Sequence, residues 1–114
     1  MATLKKKKRR KRKKGNAHYL SGRKKEWATI ALLKKMGYMA GRSAGSKGII
    51  DVFAFDTVRH RLIQVKFTRS GHWKDHNVQR LARLKVPPGT TKEVWEFQWR
   101  RKAPIVHYLT KDSV

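Results

Sequence analysis

Two short apolar runs dominate the middle of the chain: Ile49-Ile50-Asp51-Val52-Phe53-Ala54-Phe55 and Leu62-Ile63-Gln64-Val65-Lys66-Phe67. Both are rich in β-branched and aromatic residues, the composition of strands buried on at least one face. The polar segment between them is short enough to be a hairpin connection. Upstream, Ala28, Ile30, Ala31, Leu32, Leu33 and Met36 predict a helix within 18–37, with Ser21 as N-cap and Gly37 as the terminating glycine. Residues 38–48 predict a short strand that gives way to a loop of glycines, serines and cations. Downstream, Val78, Leu81, Ala82 and Leu84 predict a second helix, capped by Asp75 or Asn77 and running to about Val86 before Pro87-Pro88-Gly89 stops it. Trp95 to Trp99 alternates, with Trp95, Phe97 and Trp99 on one face, and predicts a half-buried strand. Pro104 to Leu109 predicts the last strand, and 112–114 are expected to fray.

The polar exceptions inside these runs carry the chemistry. Side chains alternate along a strand, so Gln64 and Lys66 share one face and Ile63, Val65 and Phe67 the other. A loop of Thr57 to His60 pairs Asp56 with Arg61 and sets Asp51 opposite Lys66. The three polar groups then converge, and they do so in any register shifted by an even number of residues. Such a trio is either a working site or a structural Asp51–Lys66 ion pair with Gln64 beside it. Glu26 shares a stripe with Ile30 and Leu33 and so looks inward. Taken alone, it is an acid suited to the helix start and to basic neighbours such as Arg23.

Charge narrows the partners. The chain has 114 residues, enough for one modest core, and a net charge of +23. Lys5 to Lys14 is an unbroken block of ten basic residues, which reads as a disordered tail over 1–15 ahead of one domain over 16–114. Without that block, twenty basic residues against seven acidic ones still leave +13. A polyanion, above all nucleic acid, is the expected partner, with the tail lying along phosphates or serving as a targeting signal. No apolar run approaches a membrane span, and the absence of cysteine excludes disulfides and thiolate metal sites. The 38–48 loop lacks the glycine-lysine-serine/threonine order of a nucleotide-binding loop. His72 and His76 have the i, i+4 spacing of a helical zinc pair, without an evident third ligand. His18 and Tyr19 precede the first helix, where they can touch a nucleic-acid backbone.

In their order along the chain, Glu26 on the first helix, Arg42-Ser43-Ala44-Gly45-Ser46 before the strand, Ile50-Asp51, and Gln64-Val65-Lys66 resemble the PD-(D/E)XK nuclease superfamily, and within it the archaeal-type Holliday junction resolvases. The resemblance covers most of 20–110. It implies an α/β, restriction-endonuclease-like core: a mixed central sheet of four or five strands flanked by helices. It also implies a metal-dependent endonuclease that nicks four-way DNA junctions symmetrically as a homodimer. Carried over position by position, the catalytic residues are Glu26, Asp51, Gln64, Lys66 and Ser46. Asp51, Gln64, Glu26 and the Val65 carbonyl would hold Mg2+, for which Mn2+ can substitute, and Arg23, Lys24, Arg42, Ser43, Lys47, Arg69 and Lys74 would contact DNA. Two positions depart from the pattern. Ile50 replaces the usual proline, which is not a ligand, and Gln64 replaces a glutamate, keeping a carbonyl oxygen but losing its charge.

The chemistry asks for such parts on its own terms. Phosphodiester hydrolysis needs a cation to offset developing charge and an activated water. Magnesium prefers hard oxygen ligands and takes few from protein. Lys66 can steady the transition state or orient the water. The competing readings are a nucleic-acid-binding protein that keeps the fold without cleaving, a nuclease of the same superfamily with another specificity, and a basic ribosome-associated protein, which leaves Asp51 and Lys66 unexplained. A DNA-acting protein of this kind is expected inside the cell, in the cytoplasm or nucleoid, or in the nucleus of a eukaryotic host.

Overall fold

A computed structural model describes residues 22–43 and 48–112. The basic tail, Ser21, His18 and Tyr19 fall outside the described residues, as do Ser46 and Lys47. Helix α1 occupies 22–35, followed by β1 (Met39–Arg42), β2 (Val52–Phe55), β3 (His60–Thr68), α2 (His76–Arg83), β4 (Thr90–Gln98) and β5 (Ile105–Tyr108). The strands form one mixed sheet in the order β1-β2-β3-β4-β5; only the β3–β4 pair is parallel. The expected α/β architecture is therefore present, at the five-strand end of the range. No helix of the described residues is long and apolar enough to cross a membrane.

Helix α1 ends as its glycine dictates. Gly37 has φ +96°, its N–H donates to Lys34 O at 3.0 Å, and Tyr38 N–H donates to Leu33 O at 3.0 Å, the paired bonds of a Schellman ending. Ile30 and Leu33 pack on Val52, Ala54, Ile63, Trp95 and Phe97, which form one face of the sheet. Helix α2 covers the other face, where Val78, Leu81 and Ala82 meet Val94 and Leu109. Asp75 caps α2 by accepting from Val78 N–H at 2.9 Å. The helix stops at Arg83, short of Val86, because Leu84 has already turned extended.

The β2–β3 register differs by two residues from the one expected. Phe55 pairs with His60 and Val52 with Ile63, so Asp56 has no cross-strand partner at Arg61. Instead the Asp56 carboxylate accepts from Val58 N–H at 2.8 Å and Arg59 N–H at 2.7 Å, building the turn itself. The shift is even, so facial parity survives.

β4 also departs from the alternating pattern. Helices cover both faces, residues 93–97 are all buried, and Trp99 lies beyond the strand in an exposed turn. Two acids therefore sit in the interior, each fully bonded. Glu93 receives Arg61 Nε at 2.8 Å and Nη2 at 2.7 Å, with further bonds from Trp95 Nε1 and Thr91 Oγ1. Arg61 is 3% exposed and Glu93 0%, and the guanidinium lies over the rings of Tyr38 and Trp95. On the opposite face Glu96 accepts from Thr68 Oγ1 and Gln98 Nε2 and lies 2.9 Å from His107 Nε2. Trp73 stacks on the His107 ring at 4.1 Å.

Both acids give checkable consequences. Arg61→Met should cost about 3–5 kcal/mol in urea unfolding, because it strands a buried carboxylate, whereas Arg61→Met with Glu93→Leu should cost far less than the two single changes summed. Burial pushes the Glu96 carboxyl up, but bonds from Thr68, His107 and Gln98 outweigh it and hold the group below its ordinary 4.5. A carboxylate depressed in the folded state contributes stability above its unfolded pKa and loses it as pH falls through the folded value. Glu96→Gln should thus lower stability at neutral pH and flatten its decline below about pH 4.5, read from melting curves across pH.

Candidate metal and nucleic-acid site

Asp51 immediately precedes β2, past the last register pair, Val52 with Ile63. Its N–H donates to Ile63 O at 2.9 Å, and its carboxylate Oδ2 accepts from Val65 N–H at 2.8 Å. The acid is thereby clamped against β3 at residues 63–65. Gln64 and Lys66 occupy the α2-facing side of β3, opposite to Ile63 and Val65. Gln64 is 2% exposed; its Nε2 donates to the Gly48 carbonyl, while its Oε1 is buried without a hydrogen-bond partner among the described residues. Gly48 has φ +91°, and a Cβ there would fall 2.8 Å from Asn77 Nδ2, so the loop comes close to the first turn of α2 only as glycine.

The alternative reading of the trio, a structural Asp51–Lys66 ion pair, is not the contact Lys66 makes. Its ammonium bonds Asp75 Oδ2, whose other oxygen caps α2. Asp75 was visible in the sequence only as a cap. Its second role was hidden because Asp75 lies nine positions beyond Lys66, past the end of β3 and the turn that follows. Burial raises the Asp75 carboxyl, but bonds from Lys66 and Val78 N–H outweigh that and leave it lowered.

Asp51 moves the other way. Burial is the largest cause, raising its carboxyl above 3.8; the Val65 N–H bond opposes it, nearby Glu26 raises it further, and Lys66 and Arg42 lower it. Glu26, Arg42, Lys66 and Asp51 are thus electrostatic neighbours, although Glu26 is bonded to Arg42 Nε at 2.8 Å across the α1–β1 contact. Arg42 also lies over the Trp27 ring at 5.8 Å, and Ser43 N–H donates to Asp51 O. Among the other cations expected at DNA, Arg23, Lys24, Arg69 and Lys74 are exposed. Lys74 lies over the Trp73 ring and Arg69 over that of Trp99.

The donor set suits a hard divalent cation. It offers one carboxylate with an oxygen not committed to Val65, and one buried amide oxygen that has no other partner among the described residues. No group of three or more histidine, cysteine, aspartate or glutamate side chains converges among the described residues. The helical zinc pair is also corrected: α2 begins at His76, so His72 lies outside it and the two rings share no helix face.

No protein-family model matches the chain, and no curated protein matches it in sequence. Its fold is similar to that of Archaeoglobus fulgidus Hjc, a Holliday junction resolvase from an archaeal hyperthermophile. The TM-score is 0.59 at 21% identity, over 80% of this chain and 73% of that one.

A carboxyl raised by burial costs stability while ionised, above its folded pKa, and that cost vanishes as pH falls and the group protonates. Asp51→Asn keeps an oxygen for Val65 N–H and removes the charge. In the presence of a chelator it should melt higher than the parent protein at pH 7, the difference shrinking once pH drops towards 3.8.

Proposed function

We propose that the protein is a metal-dependent DNA endonuclease, selective for four-way junctions and acting as a homodimer inside the cell. The observation that carries the reading is the buried Gln64 Oε1, unpartnered among the described residues, beside a carboxylate held by Val65 N–H. The likeness in fold to a Holliday junction resolvase and the net charge of +23 support it.

In this reading Asp51 and Gln64 hold Mg2+ or Mn2+, with Glu26 and the Val65 carbonyl as further donors. When bound, the cation supplies positive charge opposite the scissile phosphate and polarises a water. The residues themselves do the placing. The Val65 N–H fixes one Asp51 oxygen and so aims the carboxylate; the Gly48 carbonyl does the same for the Gln64 amide. Lys66 gives one of its three N–H bonds to Asp75, leaving two for a phosphate oxygen or the attacking water. Arg42, balanced by Glu26, adds positive charge at the rim. Ser46 and Lys47, which lie outside the described residues, are proposed as contacts to the neighbouring phosphate.

A binding protein that keeps the fold without cleaving is favoured by one feature, the neutral Gln64. Labelled four-way junction incubated with Mg2+ decides between them. Paired symmetric nicks are expected, with Asp51→Asn and Lys66→Met each slower by about 100-fold or more. Gln64→Glu should lower the Mg2+ concentration needed for half-maximal rate, since it restores a charge. A junction that is bound but left intact with both Mg2+ and Mn2+ removes the enzyme, and equal cutting of linear duplex removes the junction preference.

A further inference from the structure

Phe67 and Trp99 stand exposed where β3 and β4 end, on the α1 side of the sheet, although large aromatics are ordinarily buried. Phe67 is 43% exposed and Trp99 49%, with ring centroids 6.4 Å apart. Trp99 does not dangle. Its N–H donates to Thr68 O at 2.9 Å, which ties the residue after β4 to the last residue of β3, and the chain then turns sharply through Arg100 at φ +66°. Each ring carries a cation: Arg69 lies 4.6 Å from the centroid of Trp99, and Lys25 lies 5.3 Å from that of Phe67. Arg100 and Arg101 are exposed beside them. The acids nearest Trp99 in sequence, Glu93 and Glu96, are buried and fully bonded, and Glu26, next to Lys25, is paired with Arg42.

Two aromatic faces, each with a cation over it, match a flexible polyanion that carries its own flat rings. We infer that Phe67 and Trp99 form a stacking platform for unpaired bases of a nucleic-acid strand, whose phosphates Arg69, Lys25 and Arg101 contact. Bases stack on aromatic side chains whatever their sequence, and arginine over the ring strengthens the contact. Stacking conceals every base face inside a duplex, whereas a single strand or the centre of a branched or melted substrate exposes them. Phe67 follows Lys66 on β3 but turns to the opposite face of the sheet, so the platform lies across the sheet from Gln64 and Lys66, on the side that carries α1. The inference rests on the nucleic-acid part of the proposed function and not on cleavage.

The test is binding alone. Fluorescence anisotropy of a labelled single strand and of a duplex of equal length, at one salt concentration and with chelator present, is compared for the parent protein, Trp99→Ala, Trp99→Phe and Arg69→Gln. Trp99→Ala should weaken the single strand by about tenfold and the duplex hardly at all, while Trp99→Phe recovers most of the loss. Arg69→Gln should weaken both and reduce the slope of log affinity against log salt for the single strand. Equal loss on both substrates, or no loss on the single strand, overturns the platform. So does a change of sedimentation state in Trp99→Ala, which would give this face to a second copy of the chain. Trp99 is outside the core, so an unchanged circular-dichroism melt verifies that the variant is folded. Loss of cleavage in Asp51→Asn with single-strand binding intact keeps this result separate from the nuclease reading.

Discussion

Arg61 and Glu93 meet within the parallel β3–β4 pair, and the rest of the described sheet can be located from that bond. Two strands buried on both faces could slide past one another at little cost if only aliphatic side chains met between them. A guanidinium forked onto a carboxylate, with no water to replace either partner, makes any slip leave two bare charges in the interior. Tyr38 and Trp95 complete the enclosure by lying against the guanidinium. With that register fixed, Gln64 falls opposite Val94 and Lys66 opposite Glu96, and the end of β3 is presented to α2 and to the loop around Gly48.

The outline of this arrangement was legible because period-two alternation is a strong signal and because an acid, an amide and an amine inside oily strands are costly unless they are used. The register was not legible. It turned on whether Asp56 would pair across the hairpin or bend back onto Val58 and Arg59, and both are ordinary behaviour for an aspartate. The two-residue shift leaves the site intact because it is even. β4 departs from its pattern for a different reason: a half-buried strand with its aromatics on one face predicts a polar face at Glu96, yet Thr68 and His107, distant in sequence, supply the bonds that let Glu96 go inside. Likewise the partners of Lys66 and Glu26 are Asp75 and Arg42, contacts across elements that no local spacing encodes.

Two opposed requirements meet at Asp51. Its carboxylate is drawn out of water and close to Glu26, conditions that resist ionisation, while one backbone bond and two cations favour it. A group poised in this way is a poor source of stability and a good acceptor for an added positive charge. Gln64 complements it: a glutamate there would have placed another negative charge beside a carboxylate already disfavoured by burial, whereas the amide contributes an oxygen without that repulsion. The surrounding surface has the reverse character, with cations outnumbering acids throughout, so a polyanion is attracted by the body of the domain before any close contact forms.

Asp75 spends one oxygen on the start of a helix and the other on an amine nine residues earlier. Opening the first turn of α2 therefore releases Lys66 as well, and the two events share one free energy. Exchange of the Val78 amide proton becomes a gauge of how long that amine stays where β3 has put it, a clock that runs in the resting protein with neither substrate nor cation present.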